Sequence, residues 1–302
     1  MVTPPLAVAL GLAADQLLGE PPLHPHPVAV LGSALQRVER ILYADRRVPG
    51  AVHAAAGLAM GAGAGVVVRS TSVATYLAVA GRALREAAQA VDKALTADDL
   101  VKARSLLPVL VGRDPYDLDV GEVCRAVVES VAENTVDAVV APALWAVAGG
   151  APAALAHRAI NTMDAMIGHR DHRYRRYGWA AARLDDAAAW IPARVTAALV
   201  AGCRPRSAGQ IFRTVRRDAA AHPSPNAGVA EAAFAAALGL RLGGRNSYHG
   251  ATQDRPVLGD GRRPCRGDIA QAVRLSRDVA VALAGLLAVA GLARPRRVEM
   301  TG

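Results

Sequence analysis

Lysine is almost missing from this chain. Among 302 residues, 35 are Lys or Arg, yet the only lysines are Lys93 and Lys102. No GxxxxGK[ST] pattern occurs, so a phosphate loop of that kind is excluded. There is no GxSxG, which excludes a nucleophile elbow. Aromatic residues make up only 4%, which leaves little stacking surface for nucleic acid, although the pI is 10.2. A nucleic-acid partner is therefore not expected. Cys124, Cys203 and Cys265 show no paired spacing, which argues against a disulfide framework or a zinc site. No basic segment precedes the first apolar run, so no cleaved signal peptide is expected.

What is abundant is apolar and small. Hydrophobic residues reach 52%, charged residues only 20%, and mean hydropathy is +0.21. Ala, Gly, Val and Leu carry that content, with few alternating β-branched or aromatic runs, so packed helices are expected rather than sheets. Five apolar stretches stand out: Met1–Leu18, Val48–Val68, Ala138–His157, Ala187–Cys203 and Val279–Ala293. A crossing helix needs about 20 residues, which the second and third reach and the others only approach. Gly57, Gly61 and Gly65 recur every four residues, a spacing that lets helix backbones come close in lipid.

Topology strains a picture of five crossings. Except for Arg194, every Lys and Arg lies outside the five stretches, and all the intervening segments are basic. Five crossings would place strongly basic loops on alternating sides, against the positive-inside tendency. Some stretches are therefore expected not to cross fully, which gathers the polar segments on one face, the cytoplasmic one. The expected fold is all-α: a single domain over residues 1–302, a membrane-embedded helical bundle with polar helices and loops on one face.

The polar stretch Gly112–Arg194 holds the first candidates. A helix over Asp119–Asp137 puts Glu129, Glu133 and Asp137 at i, i+4 and i+8 on one face, with Asn134 beside them. Carboxylates so placed repel unless a cation or arginines compensate, and oxygen ligands suit magnesium. A solvated acidic face is the bland alternative, but this helix runs straight into an apolar stretch, where charge is expensive. Further on, Asn161 and Asp164 lie at i, i+3, and Asp185 and Asp186 stand between Arg183 and Arg194. Such a mixture fits a metal–phosphate group or an interfacial belt anchored by Trp179 and Trp190. His169 and His172 around Asp171 read as surface histidines rather than metal ligands. Thr71–Ala103 reads as one or two helices, and Tyr174–Arg194 as another. Two stiff proline loops, DQLLGEPPLHPHPV from Asp15 and HPSPNAG from His222, either end helices or wall a site; Ser224 and Asn226 either cap the next helix or hold a ligand.

Taken in order, six segments resemble the adenosylcobinamide-phosphate synthases of cobalamin biosynthesis, the CobD/CbiB proteins: DQLLGEPPLHPHPV, GRDPYDL, AVVESVAENTVDAVVAPALW, INTMDAMIGHRDHRYRRYGWAAARLDD, IPAR and HPSPNAGVAEAAFAAALGLRLGG. They span residues 15 to 244. Pro115 stands where that family usually has a hydroxyl residue, and His169 where an aromatic is common. The resemblance implies an ATP-dependent carbon–nitrogen ligase of the cell membrane. It would join a propionate carboxylate of adenosylcobyric acid to the amine of aminopropanol phosphate, giving adenosylcobinamide phosphate. Mg2+ and ATP are implied as cofactor and co-substrate, and the lipid bilayer and other corrinoid-pathway membrane enzymes as partners. Set against that chemistry, Glu129, Glu133, Asp137 and His26 are the candidate catalytic residues. Asp164, Asp185 and Asp186 are the candidate metal ligands, a role the Glu129 face could share. Arg113, Asp114, Asn134, Arg183, Arg194, Ser224 and Asn226 are the candidate substrate and phosphate contacts. A non-catalytic AmpE-like membrane protein of the same fold is the competing expectation. A transporter is disfavoured, because the middles of the long stretches carry no charge.

Overall fold

The computed structural model describes residues 2–112, 115–169, 171–248 and 251–293, without the side chains of 245–248 and 251–253. The helices are α1 (Pro4–Leu18), α2 (Pro27–Leu42), α3 (Arg47–Val68), α4 (Thr71–Ala78), α5 (Gly81–Thr96), α6 (Leu100–Leu106) and α7 (Val120–Thr135). A π-turn over Val136–Val140 leads into α8 (Ala141–Ile167), followed by α9 (Trp179–Ala188), α10 (Trp190–Cys203), α11 (Ala208–Asp218), α12 (Ala227–Leu238) and α13 (Arg266–Ala293). Between α12 and α13 lies one antiparallel hairpin, β1 (Leu242–Tyr248) and β2 (Ala251–Leu258). The all-α membrane expectation holds: three helical runs, Arg47–Val68, Val120–Ile167 and Arg266–Ala293, are long and apolar enough to cross a membrane.

The second run is not straight. Gly149 and Gly150 leave helical geometry, Gly150 at φ 65° and ψ −151°, a region open mainly to glycine. Asp137 and Asp164 lie on either side of this break, yet they line one cavity. On a straight helix they would stand about 40 Å apart. The chain therefore reverses at the glycine pair, and the third apolar stretch is a helical hairpin with both ends on the polar side. Each arm is about 20 Å long between its carboxylate and the tip.

The hairpin is held by α3. A Cβ on Gly65 would stand 2.3 Å from the Cα of Pro152; on Gly61, 2.5 Å from the Leu155 carbonyl oxygen; and on Gly57, 2.2 Å from the Met163 sulfur. The four-residue glycine spacing is thus a seam of close backbone approach. Thr3 Oγ1 donates to the Gly291 carbonyl at 3.0 Å, joining the start of α1 to the end of α13.

Four boundaries differ from the sequence expectation. Thr71–Ala103 contains parts of three helices, interrupted at Val79–Ala80 and at Asp98, which sits at φ 57°. The helix expected over Tyr174–Arg194 begins only at Trp179 and is divided at Ala189, just before Pro192. The fifth apolar stretch is the second half of a 28-residue helix whose polar first half begins at Arg266. The β-hairpin was not expected, because its strands are largely polar, the first with a Gly-Gly pair and neither with a period-2 apolar pattern.

Candidate functional site

The acidic residues meet where the polar ends of three helical segments converge. Glu133 comes from α7, whose start is fixed by a capping box: the Asp119 side chain accepts from Glu122 N at 2.8 Å, and the Glu122 side chain from Asp119 N at 2.9 Å. Asp137 follows in the π-turn, a distortion that often marks functional positions. Asp164 comes from the returning arm of α8, and Asp185 and Asp186 from α9. These five carboxylates line one cavity of about 370 Å³ together with His222, Ser224, Asn226 and Arg255. Arg158, half-buried, has Glu20 and Asp137 as its charged neighbours.

Confinement raises the energy of so much negative charge. Burial, reinforced by the nearby Asp164 carboxylate, pushes the Asp185 carboxyl up to about 7. Asn161 Nδ2 lies 3.5 Å from Asp185 Oδ1, a weak contact that favours the ionised form. A bound proton or a cation relieves such crowding.

Asn226 fastens the cavity wall. Its Nδ2 donates to the Asp186 carbonyl at 2.8 Å, and its Oδ1 accepts from Arg194 Nη1 at 3.0 Å. Ser224 acts as a cap: its Oγ accepts from Asn226 N at 3.3 Å and Ala227 N at 3.1 Å at the start of α12. Arg194 stacks on Trp190 at 4.3 Å, and Arg183 lies 3.9 Å from Asp186. These two arginines line not the acidic cavity but a neighbouring one of about 520 Å³, which shares Asp186, His222 and Pro223 with it and adds Arg216.

Other expected residues lie elsewhere. His26 caps α2, its Nδ1 accepting from Val28 N at 3.3 Å, outside the lining of the acidic cavity. Asn134 Nδ2 turns back to the Ser130 carbonyl at 3.0 Å on its own helix. Asp15, at the start of the first proline motif, lies in α1, where it is buried and accepts from Arg82 N at 3.1 Å, which secures the start of α5. Glu129 accepts from Gly243 N at 2.8 Å and lines a narrower passage of about 120 Å³. Arg113 and Asp114 lie outside the described residues.

Two residues given no role in the sequence analysis join the site. His222 is buried where the acidic cavity, the narrow passage and the arginine-lined cavity meet. Arg255 Nη1 donates to His222 Nε2 at 2.8 Å. A guanidinium can only donate, so Nε2 accepts, while the Ser224 N–H and carbonyl both lie 3.1 Å from Nδ1. Burial lowers the His222 pKa and keeps the ring neutral. The HPSPNAG loop already marked His222; nothing in the strand around Arg255 marked that arginine.

Among the described residues, no group of three or more His, Cys, Asp and Glu side chains converges closely enough to hold a metal alone. Magnesium suits this arrangement better than a caged ion would, because it is usually held by one or two carboxylates, with phosphate oxygens and water completing its shell.

The family model described as CobD/Cbib protein matches residues 8–276. The chain belongs to the CobD/CbiB family. It is 49% identical to the cobalamin biosynthesis protein CobD of Mycobacterium tuberculosis, with 94% of each chain covered. It is 42% identical to the protein of that name from Geobacter metallireducens, covering 85% of this chain and 87% of the relative. It is 37% identical to the cobalamin biosynthesis protein CbiB of Salmonella typhi, covering 89% and 92%. No solved structure matches. This is a membrane protein of a cobalamin biosynthesis family.

Proposed function

We propose that this protein is an ATP-dependent ligase that joins a propionate carboxylate of adenosylcobyric acid to the amine of aminopropanol phosphate. The observation that carries the proposal is the cavity lined by Glu133, Asp137, Asp164, Asp185 and Asp186, carboxylates from separated segments set beside arginines. A membrane scaffold of the AmpE type has no physical need to collect such charge at the edge of an apolar bundle.

A carboxylate is a poor acyl donor. In the proposed first step its oxygen bonds to the γ-phosphorus of ATP while the bond to ADP breaks, giving an acyl phosphate. In the second step the amine nitrogen bonds to the acyl carbon, the bond to phosphate breaks, and a proton leaves the nitrogen. One or two of Asp164, Asp185 and Asp186 would hold magnesium together with phosphate oxygens, and the ion would supply neutralisation of the phosphate charge. Arg183 and Arg194 border the same wall and fit the phosphate oxygens. Glu133 lines both the acidic cavity and the passage, a position suited to receiving the amine proton. Arg255, held by His222, offsets the local negative charge.

Membranes carrying the protein are given adenosylcobyric acid, aminopropanol phosphate, magnesium and ATP. ATP-dependent formation of adenosylcobinamide phosphate is expected. Its absence, with the protein inserted and folded, overturns the ligase. Glu133→Ala is expected to lower turnover at least about 100-fold, in the range of a lost general base, while membrane insertion is retained.

A further inference from the structure

A cavity larger than the acidic one lies outside it. It has a volume of about 750 Å³ and sits between the start of α7 and the hairpin bulge at Gly243–Gly244, with Arg125, Arg241 and Arg263 in its walls. Asp119 and Glu122 also line it, but each accepts the other's backbone N–H in the capping box, which directs them back onto the helix. Among the described residues, neither Arg241 nor Arg263 is engaged by a carboxylate, and both are exposed at the mouth.

The inner wall is unusually built. Buried Arg125 donates to the Gly243 carbonyl, and buried Glu129 accepts from Gly243 N, so two charged side chains of α7 pin one residue's backbone. Gly243 has φ 80°, and a Cβ there would stand 2.0 Å from the Pro256 carbonyl oxygen, so no other residue fits. The strand register slips here, between Leu242 and Gly244. Bulges held in this way commonly aim backbone and side chains at a site. Gly243 also lines the narrow passage, which shares Glu133, His222 and Arg255 with the acidic cavity. Gly243 is thus a wall shared by the arginine-lined cleft and the pocket that borders the acidic cavity.

We infer that the cleft at the hairpin bulge is a second anion subsite, which takes the phosphate groups of an organic ligand. Planar guanidinium groups match phosphate oxygens in pairs, and the volume leaves room for an organic group beside them. The inference goes beyond the ligase reading, since it rests on the lining of this cleft alone, and binding is measured without turnover. Two sources of phosphate are compatible with it, a nucleoside triphosphate and a phosphorylated amine.

The test uses the full chain in nanodiscs with EDTA present. Equilibrium binding is measured for inorganic tripolyphosphate, ATP and aminopropanol phosphate, in wild type, in Arg241→Gln/Arg263→Gln and in Arg183→Gln/Arg194→Gln. The hairpin pair is expected to weaken tripolyphosphate binding at least about tenfold, as loss of charge-assisted contacts predicts. It should weaken one of the two organic ligands in parallel, and that ligand identifies the source of the phosphate. Thermal unfolding of the variant should match wild type, since both side chains lie at the surface. If binding survives in the hairpin pair and is lost only in the Arg183/Arg194 pair, or if wild type binds none of the three, the subsite is overturned. Absence of ATP-dependent product with tripolyphosphate binding intact would overturn the ligase and leave the subsite standing.

Discussion

Asp185 carries the clearest residue-scale consequence. Its carboxyl holds a proton up to about pH 7 in the folded protein, against about 3.9 in an unfolded chain. Folding therefore takes up a proton between those values. Without a cation, this group's contribution lowers stability as pH rises from about 4 to about 7, and adds no further loss above that. A bound magnesium ion competes with the same proton. The magnesium concentration needed for half-maximal activity should fall as pH rises from about 6 to about 8, either side of that value, and in Asp185→Asn that pH dependence should largely disappear. A magnesium titration at each pH checks this; a wild-type requirement that does not change with pH refutes it. Asn226 offers a second test. Its amide ties α9 to Arg194, so Asn226→Ala should destabilise by about 1–3 kcal/mol, the range for a buried hydrogen-bonding group left without its partner, read by thermal unfolding in detergent. Much of this chemistry was legible in residue types. Glu133, Asp137, Asp164, Asp185 and Asp186 were all recognisable as charge out of place beside apolar runs. His26 and Ser224 show the limit, because a polar side chain on a stiff loop serves a helix end as readily as a ligand, and only its hydrogen bonds distinguish the two.

At the scale of elements, the seam between α3 and the α8 hairpin is the feature most exposed to mutation. Gly65→Leu would force side-chain atoms into the Pro152 backbone, which cannot yield as a flexible side chain does. Overpacking of this kind costs about 1–3 kcal/mol and should lower the detergent unfolding temperature. Gly63 lies on the same helix, where an added Cβ would meet nothing within 4 Å, so Gly63→Ala should be neutral. Equal effects of the two changes would show that the seam does not depend on close approach. The four-residue spacing made this contact visible in the sequence. The β-hairpin was invisible for the opposite reason: its order comes from α7, whose Arg125 and Glu129 hold it from outside, and not from alternation in its own strands.

For the whole molecule, the reversal at Gly149–Gly150 decides how the bundle meets a bilayer. Arms of about 20 Å are shorter than the hydrocarbon core of about 30 Å, so the hairpin would enter and return from one side. Non-helical backbone at that depth must be covered by protein, and Thr71 lies against Gly150. The exposed apolar side chains Val66, Val67, Leu286, Val289 and Leu292 fit a lipid-facing surface, with Trp179 and Trp190 beside Arg47 and Arg194 at its polar border. In a background with Cys124, Cys203 and Cys265 replaced by Ser, single cysteines at Asp119 and Arg175 should react with an impermeant maleimide from the same side of the membrane. Labelling from opposite sides would show that the segment crosses.

Composition and periodicity were enough for a helical membrane protein, because lipid admits few alternatives for an apolar chain. The six ordered motifs were enough for the family. They could not show that a 48-residue apolar helical run folds back on itself, since that depends on two glycines finding a partner in α3 and α4. Nor could they show which carboxylates face one another. Asp137 and Asp164 stand far apart in the chain, and only the reversal of the hairpin brings them to one cavity, where their shared burial sets the chemistry.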